Sequence, residues 1–233
     1  MKLGRPSSIH RADASAVDLP LEVDDQYIGG GPATPRQPVG RPPRLSFFIQ
    51  TVRLSSIIDE ILSTLCPHQR RKPADNDIPS RAQDSTIVGN TVLLDGQLQA
   101  RWNSLPPRLR QEPDVPDDID FQRQRMVMRI RMLSIRILLQ RLVFLLLVKI
   151  QRSDEYTKSL AVASSNVCIS AAQETIGLID EFYPKEMLNS LWYNLHCEAL
   201  AIHSTKYIGP YPFANAFPQT YSPPFASWPS CRT

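Results

Sequence analysis

The amino-acid sequence predicts an all-α fold in which about five helices pack around one long central helix. Apolar residues recur at helical spacing in separate segments, and no segment alternates apolar and polar residues over the length of a strand. Prolines separate the periodic segments: the 233 residues include 21 prolines but only 9 glycines. The sequence is 42% hydrophobic and 21% charged, which is typical of a globular protein.

Residues 121–150 form the central helix of this prediction. No Gly or Pro interrupts the stretch, and its length corresponds to about eight helical turns. The polar stripe of this helix consists of Arg125, Arg129, Arg136 and Gln140. We interpret the three arginines of this stripe as a solvent-facing or ion-paired edge and not as a phosphate-binding surface, because aromatic residues are not interleaved with them. Residues 142–148 are apolar on every side, so we expect several neighbours to cover that end.

Two helices are predicted before the central one. The first covers residues 45–65, and the second begins at Asp84 or Ser85 and is stopped by Leu105-Pro106-Pro107. The apolar line of the first consists of Phe48, Val52, Ile58, Leu62 and Leu65. The apolar line of the second consists of Ile87, Leu94, Leu98 and Trp102. We expect both lines to face the core.

Two further helices are predicted after the central one. The first begins at Ser153 or Asp154 and ends before Pro184, and its many small residues permit close helix approach. Its apolar face consists of Leu160, Val167, Ala171, Leu178, Ile179 and Phe182. The last helix ends before Gly209-Pro210, and its apolar line consists of Leu188, Leu191, Leu195, Ala199 and Ile202.

We predict three parts in the chain. Residues 1–45 are an extended segment, rich in proline and glycine, that packs on the helices. Residues 46–206 form the helical domain. Residues 207–233 are rich in proline and aromatic residues without periodicity, and we expect them to be disordered.

Composition narrows the protein class. The net charge of +3 is too small to indicate nucleic acid or membrane as a partner. The four cysteines, at positions 66, 168, 197 and 231, are far apart, which favours a reducing, intracellular location over a disulfide framework. The longest apolar run is seven residues, whereas a membrane span needs about 20, so we expect a soluble protein.

Candidate catalytic and metal-binding residues are few. His196, Cys197 and His203 share a region of the last predicted helix, but zinc requires three or four ligands at a definite spacing, so we interpret them as packing residues. The aspartates at positions 117, 118 and 120 are explained by capping of the central helix. The glycines at positions 29 to 31 resemble a phosphate loop only in composition, since neither a strand nor a helix is predicted beside them.

A series of landmark residues runs in order through most of the chain. They are Gly4, Arg5, Pro6, Leu19 and Pro20, then a helix over residues 48–65, then Leu94, Asp95, Leu98, Trp102, Leu105, Pro106 and Leu109, then residues 135–144 with Arg141, and then Cys168 and Ala172. In this order they resemble the middle homology region of fungal-specific transcription factors of the binuclear zinc cluster type, also known as the xylanolytic-activator regulatory domain. The resemblance covers roughly residues 3–204.

The resemblance implies a nuclear regulatory domain without enzymatic activity, the effector-response or inhibitory part of a fungal transcription regulator. In that family zinc and the specific DNA contacts belong to an upstream six-cysteine cluster, which this sequence lacks, so we expect no cofactor here. The implied partners are proteins of the transcription machinery, a second copy of the chain or a small-molecule inducer. We expect no membrane partner. At Gln140-Arg141-Leu142 the family's arginine is present, whereas its histidine and proline are not.

The chain is therefore expected to be a fragment or divergent copy of a longer regulator, in which further helices cover the apolar end of the central helix. The first alternative is a helical module that binds a small inducer in a pocket lined by Met126, Met128, Met132 and Trp192. The second is an uncharacterised helical enzyme with a cleft around His196, Cys197 and His203.

Overall fold

The computed structural model describes residues 17–29, 34–65, 81–110, 118–147, 155–182 and 185. Within these ranges the chain is helical and contains no β-strand, which confirms the all-α class. The α-helices are α1 (Ser46–Leu65), α2 (Arg81–Asn103), α3 (Pro107–Arg110), α4 (Ile119–Leu147) and α5 (Glu155–Phe182). A 3₁₀ turn at Asp25–Tyr27 precedes them.

Four of the predicted helices are present as α1, α2, α4 and α5. Their ends differ from the predicted ends by a few residues, the range expected when boundaries are inferred from periodicity. The short helix α3 was not predicted, because we expected irregular chain after Pro106 and Pro107. The helix predicted over residues 188–202 lies outside the described residues.

Helix α4 forms the middle layer of the described fold. One of its sides packs on α1 and α2, and the opposite side packs on α5. The first contact buries Leu54 and Ile61 of α1 and Leu94 and Leu98 of α2 against α4. At the far end Val143 of α4 is fully buried with residues of both α2 and α5. A helix covered on two sides needs the nearly all-round apolar surface that the sequence shows.

The predicted apolar line of α1 was wrong at Phe48 and Val52, whereas Ile58 packs against the core as predicted. Phe48 is 51% exposed and Val52 is 38% exposed, so neither faces the core. The described residues of α1 that are buried are Ser46, Ile49, Gln50, Leu54, Ile57 and Ile61. Apolar residues occupy more than one side of this helix, and contact with α2 and α4 determines which side is buried.

Small side chains dominate the contact between α4 and α5. Five of them are buried along α5: Ala161, Ser164, Ser165, Ala171 and Ala172. Of the predicted apolar face of α5, Ala171 and Ile179 are buried, and the half-buried Leu160, Leu178 and Phe182 pack against buried residues. The predicted close helix approach fits the observed packing, because small residues place the bulky Leu133 and Ile137 of α4 directly against α5.

The segment before α1 is joined to the start of α4 by Arg44. Its guanidinium lies 2.8 Å from Asp118 and 2.6 Å from Asp120. The backbone carbonyl of Asp118 also accepts a hydrogen bond from the N–H of Phe121, which is consistent with capping of the helix at this residue. These side chains are about half exposed, so the ion pairs fix geometry more than they contribute stability.

The sequence predicted no membrane span. Among the described helices, none combines the length and apolar character needed to cross a bilayer.

Candidate functional site

The polar stripe of α4 makes ion pairs with two neighbouring helices. Arg136 binds Asp95 of α2 in a bidentate pair, with Nε 2.8 Å from Oδ1 and Nη2 2.7 Å from Oδ2. Arg129 donates through Nε to Oε1 of Glu174 on α5, at 2.5 Å. The stripe therefore lies between α2 and α5. Arg129 and Arg136 are ion-paired, as one of the two interpretations of the stripe predicted.

Gln140, the last residue of the polar stripe, is buried. It is 2% exposed, and its Oε1 has no hydrogen-bond partner among the described residues. One turn earlier, Asp95 and Arg136 have side chains only 18% and 30% exposed. Both α2 and α5 approach α4 along this stripe, and that packing buries side chains which α4 alone would leave in water.

Towards the N-terminal end of α4, the stripe borders a half-open pocket of about 470 Å³. It is lined by Trp102, Arg110, Gln122, Arg125, Met126, Arg129, Leu178 and Phe182. Helices α2, α3, α4 and α5 all contribute to it. Three guanidinium groups and two aromatic rings meet in one concavity, and no carboxylate is among the described lining residues. We refer to this site as the arginine pocket.

Two arginines of the pocket have donors for which the described part of the chain provides no hydrogen-bond acceptor. Within the described residues, Arg110 donates only through Nη1, to the carbonyl of Asn103 at 3.1 Å, and its buried Nε has no partner. The guanidinium of Arg129 donates through Nε to Glu174 and lies 4.9 Å from the centre of the Trp102 ring. The structure gives the two terminal nitrogens of Arg129 no hydrogen bond within the described residues.

Helix α3 sets the position of Arg110. Pro107 occupies its first position, where a missing N–H costs nothing, so a helix can restart directly after α2 ends. Leu109 is buried and anchors this turn. Arg108 stacks over the ring of Phe121 at 4.2 Å, and its carbonyl accepts a hydrogen bond from Arg125 at 3.0 Å. These contacts join α3 to the first turns of α4 and bring Arg110 to the edge of the pocket.

The landmark residues that carry the family resemblance differ in how deeply they are buried. Leu94, Leu98 and Leu105 are buried in the core, and Asp95 and Trp102 contact the arginines of α4. Leu109, Cys168 and Ala172 are also buried, whereas Leu19 and Pro20 are exposed and Pro106 and Arg141 are half-buried. Gly4, Arg5 and Pro6 lie outside the described residues. Among the described landmarks, Leu94 and Leu98 of α2 are buried against α4, and Cys168 and Ala172 of α5 are buried with Leu133 and Ile137 of α4.

The methionines predicted to line one pocket divide between two environments. Met128 and Met132 are buried in the core shared by α1, α2 and α4, whereas Met126 lines the arginine pocket. The two sides of α4 separate them, since the spacing places Met126 away from the other two. Trp192 lies outside the described residues.

No group of three or more His, Cys, Asp or Glu side chains capable of holding a metal occurs in the described part of the chain. His196, Cys197 and His203 lie outside it. Cys168 is buried against α4, with its Sγ 3.9 Å from the carbonyl of Ile137.

Sequence reasoning missed most of the arginine pocket. Trp102 was assigned to the core, Leu178 and Phe182 to an apolar face, and Arg110 to irregular chain. A usable signal was present, because Pro107 opens a turn that carries Arg108 and Arg110 next to the polar stripe of α4 in the sequence.

No protein-family model, curated protein or solved structure matches this chain. The resemblance to fungal transcription regulators therefore depends on the landmark residues alone.

Proposed function

We propose that this chain is the effector-response domain of a fungal transcription regulator, that it acts in the nucleus without enzymatic activity, and that the arginine pocket is its effector site. The observation that carries the effector role is the pocket itself, in which three arginines and two aromatic rings from four helices converge. Pockets of roughly 300–1,000 Å³ with apolar walls and a few polar groups are typical of small-molecule sites.

The proposal of transcriptional control is supported by the order of the landmark residues. Two landmark residues on α2 also contact the arginines of α4, where a bound ligand could alter helix packing. Asp95 and Trp102 of α2 contact Arg136 and Arg129 of α4, so a ligand at Arg129 would act directly on the contact between α2, α4 and α5. Effector control requires different ligand affinity in two arrangements of such a contact.

A reporter experiment tests the proposed function. The full chain is fused to an unrelated DNA-binding domain and expressed in a fungal host that carries the matching reporter gene. We expect the fusion to change reporter transcription relative to the DNA-binding domain alone. The change should be lost when core residue Leu94 is replaced by Ala, and it should be kept when the exposed Leu93 is replaced by Ala.

Immunoblotting measures the amount of each fusion protein, and nuclear fractionation verifies that it is in the nucleus. A folded, nuclear fusion whose reporter output equals that of the DNA-binding domain alone would contradict a regulatory role. An interaction partner recovered with wild type and with the Leu93 variant, but not with the Leu94 variant, would support it.

A further inference from the structure

We infer that the arginine pocket binds a small organic anion, a molecule with one carboxylate or phosphate group attached to an apolar, ring-sized body. This inference rests on the proposed effector site and names the chemical class of its ligand. It follows from the donors, the walls and the size of the pocket, each taken from described residues.

The donors select a negative charge. Arg110 contributes a buried Nε without a partner, and Arg129 contributes two terminal nitrogens without hydrogen bonds in the described residues. A guanidinium presents its donors as a fixed planar fork, which fits the paired oxygens of a carboxylate or phosphate. An anion in the pocket would supply acceptors that the described residues do not supply.

Glu174 leaves room for this anion. It binds Nε of Arg129 from α5 and is not among the described residues that line the pocket. The pair holds the Arg129 guanidinium beside the Trp102 ring, and the remaining fork of Arg129 is not used by Glu174. Glu174 therefore orients the arginine without occupying the site.

The walls select an apolar body. Trp102, Met126, Leu178 and Phe182 make up half of the described lining residues. An inorganic anion would contact the arginines but leave these side chains in water. A molecule of water occupies about 30 Å³ in the liquid, so a volume of about 470 Å³ is far larger than one small ion requires. Burial of a flat apolar group against the two rings adds hydrophobic free energy that inorganic phosphate does not gain.

Calorimetric titration of the full chain with four probes tests this inference. The probes are 1-naphthoate, 1-naphthyl phosphate, the uncharged 1-naphthamide and inorganic phosphate. At least one naphthyl anion is expected to bind at millimolar or lower concentration, about tenfold or more tightly than both the amide and inorganic phosphate. The ratio between the two naphthyl anions distinguishes a carboxylate from a phosphate ester.

Variants locate the binding. Arg110→Gln and Arg129→Gln are each expected to weaken binding of the preferred anion by about tenfold, because each removes a charged donor. Arg131→Gln is the matched control: Arg131 is also a half-buried arginine of α4, but it contacts Thr51 and Phe47 of α1. Its binding constant should equal that of wild type. Circular dichroism checks that every variant is folded.

Three results of the probe titrations would overturn the inference: no binding of either naphthyl anion, binding of the amide as tight as that of the anions, or binding of inorganic phosphate as tight as that of the naphthyl anions. Loss of binding in the Arg131 variant equal to that in the Arg110 variant would also overturn it. Anion binding without reporter activity would contradict the proposed function alone. Reporter activity without anion binding would contradict this inference alone.

Discussion

Replacing Leu94 by alanine is expected to lower the free energy of unfolding by about 3 kcal/mol, within the usual range of about 2–5 kcal/mol for a buried leucine. Leu94 is 2% exposed and lies in the core shared by α1, α2 and α4. Truncation removes its apolar burial and leaves a cavity between three helices that cannot all move inward. Urea unfolding of the full chain, followed by circular dichroism at 222 nm, a wavelength that reports helix, measures the change.

The neighbouring leucine is the matched control. Leu93 is 62% exposed on the same helix, so Leu93→Ala removes the same atoms from a site in contact with water. Its effect should stay within about 0.5 kcal/mol, as for most surface substitutions. Equal destabilisation by the two variants would show that α2 does not pack on α1 and α4 through the side containing Leu94.

Replacing Ala172 by leucine is expected to destabilise the protein by about 1–3 kcal/mol, because the larger side chain overfills a packed site instead of leaving a cavity. Ala172 is fully buried on α5, where it packs against Leu133 and Ile137 of α4. A leucine there must push the two helices apart or adopt a strained rotamer. The unfolding midpoint in urea should fall accordingly.

Ala163→Leu is the control for this effect. Ala163 lies on the same helix but is exposed, so a larger side chain meets only solvent. The two substitutions share the same change in helix propensity, and their difference isolates the contact between α4 and α5. If the Ala172→Leu variant proved as stable as the Ala163→Leu variant, the close approach of these helices would be contradicted.

Much of the helical framework was predictable because it is encoded locally. The prolines at positions 106 and 107 end α2, and the uninterrupted apolar stretch after residue 120 forms α4. Which side of each helix is buried was less predictable. In α1 the sequence offers Phe48 and Val52 as readily as Ile49 and Ile57, and only contact with α2 and α4 decides between them.

The arginine pocket was harder to predict than the helices. The polar stripe was recognised, but its burial depends on α2 and α5, which are distant in sequence. Arg110 sits on a four-residue helix, too short for periodicity to reveal. Phe182 reaches the pocket from the end of α5, and no local pattern relates it to Arg110 or Trp102.

Hydrogen exchange of the full chain, read by mass spectrometry with and without the preferred naphthyl anion, tests the central claim that the arginine pocket is an effector site. Ligand binding at the pocket predicts slower exchange in α3 and in the turns of α4 and α5 that line it, residues 122–129 and 174–182, while α1 stays unchanged. Unaltered exchange at saturating anion, or slowing confined to α1, would contradict the claim.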